Sequence, residues 1–193
     1  HKLIKELERS APKVQGILIS DFVYGVITPR VLETITELAA KHSLFVFGDL
    51  QCSSQVGNVS KFNNFDLICP TERESRIALA TKDEGVEWVA STLMRKTNSR
   101  NLVLKLGGEG FIAYETELDG FISRQHFPAL SINPVDVSGA GDSLLAALSV
   151  GLCSGSTLMQ SSAIGAGMAS LAVKQLGNIP ISSQQLKNYL NKI

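Results

Sequence analysis

The sequence predicts an α/β fold, a mainly parallel sheet layered between helices, and three observations predict it. Short apolar runs alternate along the chain with longer segments whose apolar residues recur at helical spacing, an order that joins parallel strands through helical crossovers. A length of 193 residues with 44% apolar residues suits one domain with a sizeable core. No internal repeat or low-complexity linker interrupts the pattern.

In chain order, residues 1–6 read as a charged helix rather than a targeting segment. Residues 16–20 form a short apolar strand. Thr28 and Pro29 open the next helix as N-cap and first helical residue, and Val31, Leu32, Ile35, Leu38 and Ala39 carry it on at helical spacing. Residues 44–47 and 66–69 are strands, the second followed by Pro70 and a helix from about Thr71. A helix covers 86–94, a buried strand 102–106, and residues 111–114 return from it across a glycine loop. The remainder is mostly helical, over 140–153, 157–175 and a terminal helix with the capping box Ser182 and Gln185.

Composition removes several function classes. Lys plus Arg and Asp plus Glu number 18 each, so no global field favours nucleic acid or an acidic membrane. Cys52, Cys69 and Cys153 are scattered, with no C-x-x-C pair; buried free thiols in a reducing cytoplasm suit them better than a disulfide framework or a zinc site. No apolar run approaches the length of a membrane-spanning helix.

The run Asp136-Val137-Ser138-Gly139-Ala140-Gly141-Asp142 stands directly before the helix-periodic Leu144, Leu145, Leu148 and Leu152. It places backbone N–H groups of small residues at a helix start, where unpaired amides and the helix dipole favour an anion. Asp142 puts a carboxylate in the same turn. Amides for a phosphate beside an acid for a proton suit phosphoryl transfer to a hydroxyl; the same residues also suit a closely packed helix start. Lys105-Leu106-Gly107-Gly108-Glu109-Gly110 reads as a hairpin turn, and G-x-x-x-x-G-K-[ST] is absent. Thr71 and Glu74 form a T-x-x-E capping box. Asp21 and Asp49 each follow an apolar strand, at ends that share one rim of the sheet, where open α/β sheets bind ligands. His1, His42 and His126 have no nucleophile or ligand neighbour in the sequence. The spot after the first strand, where a dinucleotide fold has G-x-G-x-x-G, holds Ser20-Asp21-Phe22.

These residues resemble the PfkB/ribokinase-like carbohydrate kinases. Asp136 to Asp142 is similar to that family's D-x-x-G-A-G-D signature, Ser20 to Gly25 to its S-D-Y-x-x-G, Lys105 to Gly110 to its T-x-G-x-x-G nucleotide loop, and Pro70 to Glu74 to its P-N-x-x-E. Leu176-Gly177-Asn178 after a small-residue helix resembles the heptose-7-phosphate kinase branch. The resemblance implies a ribokinase-like three-layer sandwich without its N-terminal strands and β-lid, with residues 1–193 as one C-terminal nucleotide-binding and catalytic portion. It implies an ATP- and Mg2+-dependent transfer of the γ-phosphate to a sugar or sugar phosphate. Gly139, Ala140 and Gly141 would hold the transferring phosphate and Asp142 would act as base. Lys105, Gly107, Gly108, Gly110 and Asp136 would serve the nucleotide. Ala166 and Ala169 would border the adenine, or simply allow close helix packing. Glu74 would organise Mg2+ through water.

Departures from the pattern point to an alternative, a non-catalytic nucleotide-binding module. Lys105 and Thr71 replace the family's Thr and Asn, and Tyr24 and Gln51 stand where the heptose branch has lysines in D-Y-x-K-G and D-P-K-G. An ordinary α/β interaction domain leaves Asp136 to Asp142 unexplained. A sheet without its first strands exposes an edge, so either a homo-oligomer or poor solubility is expected; the thiols and the charge balance point to the cytoplasm, with neither nucleic acid nor membrane as partner.

Overall fold

Four parallel strands carry the first half of the chain. The computed structural model describes residues 2–51, 57–131 and 133–192; His1 and Cys52 lie outside the described residues. Strands β1 (Gly16–Asp21), β2 (Phe45–Leu50), β3 (Leu67–Ile68) and β4 (Asn101–Lys105) pair in parallel, with Ser20 opposite Asp49, Gly48 opposite Ile68, and Leu67 opposite Asn101. β5 (Phe111–Thr116) and β6 (Ile122–Phe127) complete a six-stranded sheet in the order β1-β2-β3-β4-β5-β6. β5 runs back along β4: Leu106 N–H donates to Gly110 O at one end and Thr116 N–H to Arg100 O at the other. The expected α/β architecture is therefore present, its parallel part ending in an antiparallel return.

The helices start where their caps dictate. α1 (Lys2–Ser10) rests Leu7 against a small cluster of Ala11, Leu38 and Leu44. α2 (Pro29–His42) starts at Thr28, whose hydroxyl accepts the Val31 N–H, and stops at Ser43 in the left-handed conformation. α3 (Glu72–Leu79) starts with the full Thr71/Glu74 capping box. α4 (Val86–Thr97) buries Val89, Ala90, Leu93 and Met94. Leu102, Val103 and Leu104 of β4 are all buried, as expected of a parallel strand covered on both faces.

Contacts divide the chain into two compact units. The first holds residues 1–105 and 114–123, the second 106–113 and 124–193. Within the second, α5 (Ala140–Cys153) and α6 (Leu158–Ala172) pack through small residues: a side chain at Gly165 would strike Leu144 at 2.6 Å, and Gly151 lies against Ser161. Gly167 gives similar room to Leu186 and Leu190 of α7 (Ser183–Leu190), which starts with the expected Ser182/Gln185 capping box. Among the described residues no helix is long and apolar enough to cross a membrane.

Candidate functional site

In the second unit, Gly139 adopts φ +76°, a conformation open to glycine, and α5 begins at the next residue. That turn places Gly141 and Asp142 in the first turn of α5. Ala140 N–H donates to Val137 O at 3.3 Å. Asp136, expected among the nucleotide-binding residues, holds this loop instead through its own oxygens. One accepts the Ser138 N–H and the other the Gly177 N–H, each at 2.9 Å. These bonds hold its carboxyl below the usual carboxylate range. A side chain at Gly139 would meet the amide of Asn178, its carbon at 2.7 Å. The Gly177-Asn178 turn, noted in the sequence only as a helix end, thus packs directly against the Gly139 turn.

The glycine loop also lies in this unit. Residues Gly107–Glu109 form a short 3-10 turn closed by Gly110 N–H to Gly107 O. Gly107 and Gly110 have φ +62° and +91°. Gly108 has ordinary φ and open space around it. His126 places Nε2 2.9 Å from Glu109 O, a role for the ring in pinning this loop that its sequence neighbours did not reveal. Ala166 is buried and Ala169 half-buried on α6.

In the first unit, the carboxyl ends of the parallel strands gather two ion pairs. Asp49, at the end of β2, is fully buried, and its two oxygens accept from the Lys105 ammonium at 2.8 and 2.6 Å. Burial pushes the Asp49 carboxyl above its ordinary range; Lys105 opposes that shift, and the nearby charge of Glu74 adds to it. Cys69 lies beside this pair, its thiol pushed far up by burial. Asp21, at the end of β1, is 4% exposed and pairs with Lys61. Its other oxygen accepts the Val23 N–H at 2.9 Å. Val23 has φ +63°, a strained conformation for a β-branched residue, and it packs where a side chain at Gly57 would strike it at 2.7 Å. Glu74 is buried, and one of its oxygens accepts the Thr71 N–H at 2.8 Å.

The strand-end acids therefore stand on the rim expected of them, each with a lysine that local sequence could not assign. Lys61 lies 40 residues from Asp21 and Lys105 lies 56 from Asp49. Lys105, expected to serve the nucleotide, has its ammonium held by Asp49 here. The rim thus carries two lysines although Tyr24 and Gln51 replace those of the resembling branch.

The bifunctional protein HldE of Geotalea uraniireducens is 29% identical over 189 residues, covering 96% of this chain and 37% of that protein. That of Trichlorobacter lovleyi is 27% identical over 188 residues, with the same coverage. The chain thus spans little more than a third of the length of these curated relatives. Phosphofructokinase-2 from Escherichia coli, in complex with potassium, shares the fold with a TM-score of 0.79 at 17% identity, over 99% of this chain and 62% of that one. Arabidopsis thaliana ribokinase, complexed with ribose and ATP, does so with a TM-score of 0.78 at 18% identity, over 96% and 58%. The family model described as pfkB family carbohydrate kinase matches residues 2–185. The chain belongs to the pfkB family of carbohydrate kinases.

Proposed function

We propose that this chain supplies the phosphoryl-transfer machinery of an ATP- and Mg2+-dependent kinase acting on a sugar or sugar phosphate. The observation that carries this reading is the left-handed Gly139 turn leading straight into α5 with Asp142 in its first turn. The backbone N–H groups and dipole of a helix start favour the charge that develops on a transferring phosphoryl group. Asp142 accepts the proton of the attacking hydroxyl, a contribution typically worth about 10²–10⁴-fold. Gly107, Gly108 and Gly110 let the loop backbone approach the nucleotide, Asp136 sets the shape of the Gly139 turn, and Ala166 and Ala169 leave room for a flat base.

The residues fit magnesium in one way. Magnesium keeps several of its waters and is held through phosphates and a carboxylate rather than in a protein cage. Glu74 is the carboxylate that would hold such a water. The ion would neutralise charge on the phosphates.

A heptose phosphate is the preferred acceptor on the branch resemblance. The balanced charge supports a partner set without nucleic acid or an acidic membrane, and the scattered cysteines without a C-x-x-C pair support a reducing cytoplasm. β1 stands first in the strand order with Leu18 exposed, which supports self-association along that edge. The test is transfer of labelled γ-phosphate from ATP to a panel of sugars and sugar phosphates. We expect transfer to one class of acceptor, reduced at least about 10²-fold by Asp142→Asn. MgATP binding without transfer to any acceptor would support the alternative, a non-catalytic nucleotide-binding module.

A further inference from the structure

Lys105 occupies the position at which the resembling nucleotide loop carries a threonine, and a lysine there invites a direct contact with phosphate. Its surroundings argue otherwise. β3 pairs Gly48 with Ile68 and Ile68 with Leu102, so Asp49, Cys69, Val103 and Lys105 share one face of the sheet. On that face the Lys105 side chain is 15% exposed, and its ammonium sits on both oxygens of an aspartate with no exposure at all. The backbone of Lys105 is tied as firmly. Its N–H donates to Pro70 O at 2.9 Å, and it forms a bridge with Thr71, the N-cap of the helix that carries Glu74. One residue thereby joins the end of β2, the start of α3 and the strand that leads into the glycine loop.

The charges make the same case. Asp49 and Glu74 are both buried carboxylates near each other, and Lys105 is the cation placed on one of them. A buried carboxylate stripped of its partner is strongly unfavourable, whereas exchanging both partners for neutral groups of like size is often tolerated. We propose that Lys105 is a positioning residue, not a phosphate ligand: held by Asp49, it neutralises that carboxylate and fixes the Pro70-to-Glu74 segment on which metal-nucleotide binding depends. This rests on the nucleotide-binding reading above.

The experiment is a double-mutant cycle over Lys105→Met, Asp49→Asn and the two combined, with calorimetric titration of the Mg2+ complex of a non-hydrolysable ATP analogue and thermal unfolding of each protein. Lys105→Met should weaken analogue binding at least about tenfold and lower Tm. The combined variant should recover most of both losses, because no unpaired buried charge remains. Equal loss of affinity in Lys105→Met and the combined variant would show that the ammonium itself meets phosphate, and would overturn the proposal. Affinity unaltered by Lys105→Met would overturn it too. Should Lys105→Met fail to fold, the combined variant decides: folded and binding supports the proposal, folded without binding refutes it. Absence of binding by the unmutated chain would instead refute the nucleotide reading. The unfolding cycle then still decides on the pair, since strictly additive losses in Tm would refute the coupling of Lys105 to Asp49.

Discussion

Three glycines in one loop should respond to the same substitution in three different ways. At Gly108 the backbone is ordinary and a methyl group meets nothing within 4 Å. Gly108→Ala should leave stability unchanged or raise it by up to about 1 kcal/mol, by restricting the unfolded chain. At Gly107 the space is equally open but φ is +62°, so alanine pays the left-handed penalty alone, about 1–2 kcal/mol. At Gly110 φ is +91° and ψ −128°, a region for glycine. A methyl there would also lie 2.7 Å from Ala129 N and 2.8 Å from the Pro128 carbonyl carbon, besides striking Phe127 O. Those are backbone atoms and cannot swing aside as a side chain would. Strain of about 1–3 kcal/mol joins a steric cost of similar size, for a total of roughly 2–6 kcal/mol. At about 2–4 °C per kcal/mol for a chain of this length, Gly107→Ala should lower Tm by about 2–8 °C and Gly110→Ala by about 4–24 °C, the larger drop of the two. Circular dichroism melts read these values. MgATP titration of Gly108→Ala then separates function from folding, because the added methyl obstructs the nucleotide's approach without disturbing the loop. Equal melts for Gly107→Ala and Gly110→Ala would refute the steric argument. Undiminished nucleotide affinity in Gly108→Ala would refute the loop's role.

Other outcomes follow from the same geometry. Asp136 has its carboxyl held below the ordinary range, so its stabilisation is present above the unfolded value and is lost as pH falls through the folded one. Urea midpoints of the wild type should therefore drop further on acidification than those of Asp136→Asn, and parallel curves would contradict this. Native alkylation followed by peptide mass mapping should leave Cys69 unmodified, because its thiol is buried and strongly disfavours the thiolate; labelling of Cys69 at neutral pH in folded protein would count against it. Thr71→Ala should cost about 1 kcal/mol through loss of the N-cap and Thr71→Asn nearly nothing, read by chemical denaturation; equal costs would show that the hydroxyl does not cap.

Signals confined to a few residues were readable from the sequence. The Thr28-Pro29 start, the Thr71/Glu74 and Ser182/Gln185 capping boxes and the α5 range of 140–153 follow from contiguous chemistry, and each stands as expected. Helix α6 ends at Ala172 rather than 175, because Lys174 and Gln175 continue the chain only as turns. β6 escaped notice because Ser123, Arg124, Gln125 and His126 are polar and its middle is exposed, as befits the last strand in the order. The ion pairs of the rim escaped it for another reason. Lys61 and Lys105 reach Asp21 and Asp49 only because the parallel register brings distant strand ends to one edge, and no local spacing encodes that.

The central claim is that the Gly139 turn binds the phosphates of a nucleotide. Calorimetric titration of MgATP into the wild type and into Gly141→Asp tests it most directly. The substitution places a carboxylate in the first turn of α5, where it favours the helix but repels an anion. Saturable binding by the wild type, lost in a Gly141→Asp protein of unchanged Tm, is the predicted result. Binding that survives Gly141→Asp, or no binding by the wild type, would contradict it.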